Sequence, residues 1–522
     1  MSQTRMSQTR MSQTRMSQTF KTAAARGGTL GASQHQHEDQ KMSETMSTTL
    51  PGHPAARDIA DLPAPPGLPL IGNALQLHPR TIHRTMEDWS RRYGTMFRAR
   101  IGSRQVVVLA DGAAINAVLR DRPDGFRRPA VTAEVSDELG GNPGVFLAEG
   151  DAWQRQRRMV MHAFSPAAVK AYFGRLAHVA RRLEAGWLQA AAQGHEIDLT
   201  GDLKRYAVDV IAGLAFGADV NTIEAGDDAI GRHVDTVLAG VARRSLMPFP
   251  YWRWVRLPAD RRLERSVLAV RSATDGFIAG ARAALAADPG LRERPANLLQ
   301  AMLVAADHPD SGVDDAAVAG NVTTMLLAGE DTTSSALAWL IWLLWRNPAA
   351  LARATDEVRR HVPDVAALTY EQTEPLDYVQ ACALEAMRLK PPAPFLPLEA
   401  LRETTVLDVR LPPGTLLWCV MRHDSVDARC FPSPDTFDPE RWLPDAQGAH
   451  RADRQAALPF GAGPRICPGR YLSLLEIKVA MATLLSRFDI TAVHATGRPE
   501  PAEVMGFVMG PSPLTMTLRP RA

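Results

Sequence analysis

Phe460-Gly461-Ala462-Gly463-Pro464-Arg465-Ile466-Cys467-Pro468-Gly469 sets one cysteine in a loop of three glycines and two prolines. Such a composition makes a shaped turn rather than a helix or strand. Leu472, Leu475 and Val479 then recur near helical spacing, which predicts a helix from Arg470 to Phe488. Cys467 therefore stands close to a helix N-terminus, where unpaired N–H groups and the helix dipole favour an anion. Arg465, two residues earlier, adds positive charge. Together they favour the thiolate, the form in which cysteine ligates metals. The loop alone leaves a second reading open, a buried free cysteine beside a turn.

The 522 residues are enough for several small domains or one large catalytic unit, and 45% are hydrophobic, so a sizeable core is possible. A net charge of +2 offers no whole-protein argument for nucleic acid or an acidic ligand. The four cysteines, Cys382, Cys419, Cys430 and Cys467, form no close pair and no Cys-x-x-Cys spacing. That usage fits free thiols in a reducing, cytoplasmic compartment. Met1 to Thr19 repeats Met-Ser-Gln-Thr-Arg, and residues 1–50 predict a disordered tail before a catalytic domain over 51–522. Nothing in the tail resembles a signal peptide or a membrane span.

Other stretches give the loop a context. Pro63 to Asn73 is a proline- and glycine-rich lead-in that forbids helix. Thr81–Tyr93 predicts a helix, and Met96–Ala110 two strands around Gly102-Ser103. Arg120 to Glu149 reads as loop. A helix from Asp151 to about Phe164 puts Trp153 and Arg157 on one face at i and i+4, donors only, suited to a carboxylate. Ser165-Pro166 opens a long helix through Leu188, and Tyr206–Phe216 predicts another, ending at Gly217. Arg243 to Arg262 interleaves arginines with aromatics. Its prolines break any long amphipathic helix, so a lid or substrate-entrance segment, or plain packing, outweighs nucleic-acid or membrane contact.

Asp314–Arg346 is the longest helical pattern, apolar on nearly all sides and closed by Asn347-Pro348. At its centre stands Ala328-Gly329-Glu330-Asp331-Thr332-Thr333. Thr332 can bond back to the carbonyl of Ala328 and loosen the helix, Gly329 lets another group approach, and Asp331 is ionisable. A kink with solvated acids is the alternative. Glu385 and Arg388 can pair at i and i+3 on a helix that stops before Pro391-Pro392. Phe395–Leu398 and Leu401–Val420 predict short strands with a turn at Pro412-Pro413-Gly414.

The loop fits Phe-x-x-Gly-x-Arg-x-Cys-x-Gly at every fixed position and resembles the haem-thiolate loop of the cytochrome P-450 family. Trp153/Arg157, Asp331/Thr332, Glu385/Arg388, Arg441 and Cys467 follow in that family's order, so the resemblance spans about residues 60–520. It implies a mainly α fold with small β-sheets, one haem b (iron protoporphyrin IX), and a monooxygenase placing one atom of O2 in a hydrophobic small molecule such as a fatty acid or terpenoid.

By the same resemblance Cys467 is the iron ligand, and Phe460, Gly469 and Ala328 flank the haem. Trp153, Arg157 and Arg465 hold propionates, and Asp331 and Thr332 deliver protons, with Glu330 exposed or structural. Glu385, Arg388 and Arg441 form a buried scaffold. Phe146, Ala328, Phe395, Leu396 and Phe507 line the substrate pocket. Many members carry a propionate-binding arginine near the first strand; here Leu398-Glu399 stands near that position and Arg402 comes late. A soluble, bacterial-type member without a transmembrane anchor is implied, taking electrons from a separate ferredoxin, with its reductase, or flavodoxin. A haem-thiolate peroxygenase, an isomerase or dehydratase, or a non-catalytic haem sensor are the alternatives.

Overall fold

One long helix sets the architecture. In the computed structural model, which describes residues 56–521 except 227, 228, 248, 446, 447 and 450, Asp315–Arg346 is one continuous helix. Asp314 caps it by accepting from Ala317 N, and Pro348 forbids its continuation past Asn347. Leu337, Ala338, Trp339, Leu340 and Ile341, five consecutive positions, are all at most 1% exposed, so this part of the helix is buried all round.

The helices of nine or more residues are, in order, α1 (Ile82–Tyr93), α2 (Gly112–Arg120), α3 (Ala130–Glu138), α4 (Gly150–Ala163), α5 (Phe173–Ala192), α6 (Leu199–Val210) and α7 (Ala229–Leu246). They continue with α8 (Pro258–Ala287), α9 (Leu298–Ala306), α10 (Asp315–Arg346), α11 (Pro348–His361), α12 (Asp377–Leu389) and α13 (Arg470–Arg487). Side chains of α5, α6, α10, α12 and α13 share one core, including Leu176, Tyr206, Leu340, Met387 and Leu484. The hydrophobic burial of this core holds α10 against α13, whose first turn follows Cys467 by three residues.

A five-stranded sheet covers one end: β1 (Met96–Ile101), β2 (Arg104–Leu109), β3 (Phe126–Arg127), β4 (Phe395–Ala400) and β5 (Leu416–Val420), in the order β1-β2-β5-β4-β3. Val106 of β2 pairs in parallel with Leu416; the other neighbours are antiparallel, as Phe395 with Val420. Val106 to Val108 are fully buried, as the β-branched run predicts. A hairpin of Glu503–Met505 and Met509–Pro511 carries Phe507 at its turn.

Three expectations change. The stretch 120–149 is not all loop, since it holds β3 and α3. The long helix after Ser165 is two, Pro166–Ala171 and α5, because the buried rings of Tyr172 and Phe173 turn the chain at Tyr172 (φ −93°, ψ 1°). The helix expected over Tyr206–Phe216 is the end of α6 followed by a π-helical turn, Ile211–Phe216, closed by Gly217 at φ +71°. The arginine–aromatic segment is the end of α7, a connection, and the start of α8, whose first residue is Pro258. The tail, residues 1–50, lies outside the described residues.

Candidate functional site

The cysteine loop is shaped by backbone that only glycine tolerates. Gly461 and Gly463 have φ of +72° and +69°, and a Cβ at Gly463 would lie 2.5 Å from the Leu119 carbonyl oxygen of α2. Cys467 N donates to Phe460 O at 2.9 Å, closing the loop on itself. Burial pushes the Cys467 thiol above its usual range. The Gly469 N–H and the charges of Arg157 and Arg470 pull the other way. A thiol so placed ionises readily only against a further cation, and a metal ion supplies one. Arg157 donates from Nη2 to Ile466 O at 2.6 Å and so braces the residue before the cysteine.

Arginines gather on the other side of the loop. Arg465 lies over the buried Trp153 ring at 4.6 Å, donates to Ala148 O at 2.8 Å and pairs with Glu149. Arg128 donates to Phe146 O at 3.0 Å with its guanidinium 3.3 Å from the Phe146 ring centre. Arg122 is 4% exposed, and its Nε and Nη2 have no hydrogen-bond partner; neither has Arg465 Nε. Burial pushes Arg122 down to about 10, and burial with the Arg122 and Arg465 charges holds Arg128 well below the guanidinium range. Burial raises Glu149 against the pull of Arg465 and Arg122.

Glu149 is the one carboxylate whose charge acts on Arg122, Arg128 and Arg465, and it pairs with Arg465 alone, which leaves a local surplus of two positive charges with N–H groups unmet. Buried N–H groups of this kind call for acceptors. The two propionates of a haem match that surplus in charge and in chemistry.

Arg122 and Arg128 were not among the candidates. The signal was four arginines, Arg120, Arg122, Arg127 and Arg128, within nine residues otherwise read as loop. The strand position at Leu398-Glu399 supplies no propionate anchor. Leu398 is fully buried, Glu399 is held by Arg127 at 2.6 Å and by Ala130 N at 2.8 Å, and Arg402 pairs with Asp121 at 2.7 Å on the surface.

Across from the loop, Ala328 is exposed in the middle of the buried helix α10, which marks open space beside it. Thr332 Oγ1 donates to Ala328 O at 2.7 Å. A Cβ at Gly329 would come 3.1 Å from Ile211 of the π-helical turn, so Ile211 is the group that uses its missing side chain. Asp331 does not face the open space alone: Lys204 of α6 bridges it at 3.0 Å and Asp235 of α7 at 3.0 Å. Two acids share one ammonium. Burial therefore leaves Asp331 above the usual carboxylate range, and the two acids raise Lys204 despite its burial. Glu330 is 2% exposed, so of the two roles expected for it the exposed one is excluded. Thr333 points the other way, to Ser473 Oγ at 3.2 Å and to Glu476, which burial pushes up to about 8.

The scaffold residues come together. Glu385 takes Arg388 at 2.8 Å, Arg441 at 3.1 Å and the Trp442 indole N–H at 2.8 Å, and Arg388 Nη1 donates to Ser425 O at 2.6 Å. Of the pocket candidates, the rings of Phe146 and Phe507 lie 5.8 Å apart. Phe507 and Leu327, the residue before Ala328, pack on the same α7–α8 cluster. Phe395 and Leu396 take opposite faces of β4, as neighbours in a strand do. Phe395 packs beside Trp418, Met505 and Met509, whereas Leu396 packs with Leu119, Cys419 and Ala462.

Comparison with known proteins agrees with this geometry. The family model described as cytochrome P450 matches residues 62–518. "Cyclooctatin synthase" of Streptomyces melanosporofaciens is 30% identical over 90% of this chain and 97% of its own. "Cyclooctat-9-en-7-ol 5-monooxygenase" of the same organism is 29% identical over 83% of this chain and 90% of its own. The plant "Protein LUTEIN DEFICIENT 5, chloroplastic" of Arabidopsis thaliana is 25% identical over 76% and 67%. The relatives thus span bacteria and plants. A solved structure, the cytochrome P450DA heme domain, superposes with a TM-score of 0.77 at 23% identity, covering 90% of this chain and 99% of its own.

Proposed function

The chain belongs to the cytochrome P450 family and is a haem-dependent monooxygenase; we propose that it hydroxylates or epoxidises a terpenoid-class hydrophobic molecule. The apolar wall of Phe146, Phe507 and Leu327 beside the exposed Ala328 carries this reading, since such a wall rewards hydrocarbon over polar groups. The two Streptomyces relatives, one of them named for oxidising cyclooctat-9-en-7-ol, favour a terpenoid over a fatty acid.

Bound through the Cys467 thiolate, haem supplies the activation of O2, one atom going to substrate and one to water. The chain's residues do the rest. Arg157 and the Gly469 N–H favour the anionic sulfur against the burial that opposes it. Arg122, Arg128, Arg465 and Trp153 hold the propionates. Asp331, reached from the surface through Lys204, supplies protons, and the Thr332 hydroxyl passes them into the open space beside Ala328.

Electrons come from a separate acidic donor of ferredoxin or flavodoxin type, docking where Arg157 and the exposed Arg470 lie beside Cys467. The cysteines present, all free, suit a reducing, cytoplasmic setting. The test is a spin-state titration of the ferric protein. Cyclic terpenoid alcohols should shift it toward high spin; a shift by fatty acids alone, or by neither class, would remove the assignment.

A further inference from the structure

The hairpin that brings Phe507 to the pocket wall has little of its own to hold it. Glu503–Met505 and Met509–Pro511 share three register pairs, and among the described residues neither strand joins a further one. A two-stranded hairpin of that size is marginal in water. Phe507 stands at its turn, where Gly506 N donates to Val508 O at 2.8 Å. The place of the ring is therefore set by what grips the base of the strands.

The returning strand rests on backbone and on α10. Met509 N donates to Pro392 O at 2.8 Å, and a Cβ at Gly510 would lie 2.8 Å from Ser335 Oγ. The outgoing strand is gripped by charge. Glu503, its first residue, is buried, and its carboxylate accepts from Lys390 Nζ at 2.6 Å, Arg422 Nη1 at 2.7 Å and Arg84 Nε at 3.0 Å. His83 Nε2 lies 3.0 Å from the same carboxylate. Burial opposes the charge of Glu503, but the bonds from His83 and Arg422 and the charges of Arg422 and Lys390 hold it far below the usual carboxylate range.

These partners come from separate parts of the fold. His83 and Arg84 belong to α1, Lys390 follows α12, and Arg422 stands two residues beyond β5. Arg422 is also forked onto Glu87 of α1 by two bonds of 2.8 Å. The Lys390 ammonium lies 5.0 Å from the centre of the Trp339 ring of α10. Charge-assisted bonds from several directions fix a carboxylate in position as well as in energy. Phe507 follows four residues later, roughly 13 Å along a strand.

We propose that Glu503 is a positioning residue for the pocket: it sets Phe507 against Phe146 and so governs which hydrophobic molecules fit, acting through the hairpin. The proposal rests on the wall of Phe146 and Phe507 assigned above. The ferric holoprotein is titrated optically with imidazole and with clotrimazole, which share the ligating ring and differ in the bulky aromatic groups of the second. The ratio of the two dissociation constants thus reads the wall. Phe507→Ala should lower the preference for clotrimazole about tenfold, the factor that burying one such ring implies. Glu503→Gln should lower it by about the same factor. Lys390→Met leaves Arg84 and Arg422 to balance Glu87 and Glu503, so it keeps the fold, and it should lower the preference about threefold. In the Phe507→Ala background neither should change the ratio further, because the ring they position is gone.

A parental ratio in both Glu503→Gln and Lys390→Met would overturn the proposal; should Glu503→Gln not fold, Lys390→Met decides. An equal loss with and without Phe507 would also overturn it, since the cluster would then support the fold at large. A parental ratio in Phe507→Ala would remove the wall, and the proposal with it. An effect of Phe507→Ala that the Glu503 and Lys390 variants do not share would remove the positioning role alone.

Discussion

Two arginine clusters, one around Glu385 and one around Glu149, differ in how their charges balance. Around Glu385 the account closes: both carboxylate oxygens are used by Arg388, Arg441 and Trp442, and the remaining Arg388 N–H groups reach the carbonyls of Ser425 and Thr436. Around Glu149 it does not close. Only Arg465 pairs with that carboxylate, whose Oε1 has no donor, and Arg122 Nε and Nη2 and Arg465 Nε have no acceptor. A satisfied buried cluster is a strut. An unsatisfied one, tolerated in a folded core, is a binding site for the missing anion.

The contrast predicts opposite signs for one kind of substitution. Arg388→Met leaves Glu385 as a buried charge short of its main partner and should cost about 3–5 kcal/mol of stability. Urea unfolding of the haem-free protein measures this, and a loss under 1 kcal/mol would break the contrast. Arg122→Met removes a buried charge whose Nε and Nη2 have no acceptor, so the haem-free protein should be at least as stable as the parent. The same variant should release haem to an acceptor apoprotein about ten- to a hundredfold faster, the worth of one charge-assisted hydrogen bond. Unchanged haem release would take Arg122 out of the propionate site.

A smaller effect concerns α13. Glu476 is buried and pushed up to about 8, so the fold keeps its proton where the unfolded chain, near 4.5, has lost it. The folded state then binds more protons than the unfolded one, and this residue's share of stability falls as pH rises from about 4.5 to 8. Glu476→Gln should remove that fall. The gain over the parent should be absent near pH 4 and reach on the order of a few kcal/mol at pH 8. A pH-independent difference in midpoint denaturant would contradict it.

What was legible in the sequence follows the same division. The cysteine loop, Glu385/Arg388 and the centre of α10 are local patterns, in which chemistry fixes the spacing. The back-bond from Thr332 to Ala328 spans four residues and is readable for that reason. Arg122 and Arg128 were not legible, because their meaning depends on Glu149 and on Arg465 more than three hundred residues away. Alanine, valine, threonine and acids mix in α3 without a clear apolar face, so the stretch read as loop. Phe395 and Leu396, adjacent in sequence, pack on different clusters because side chains alternate along a strand. The Lys204 bridge to Asp331 joins α6 to α10, a contact that no local spacing announces.

The central claim is that the loop holds iron through the Cys467 sulfur, with the arginine surplus beside it taking the haem's carboxylates. The carbon-monoxide difference spectrum of the reduced protein tests it most directly, run on the parent and on Cys467→His. The parent should give the red-shifted Soret band of a thiolate–CO complex, and the variant should lose that band while any haem it keeps shows the imidazole type. An imidazole-type band in the parent, or a thiolate-type band that survives in Cys467→His, would contradict the account.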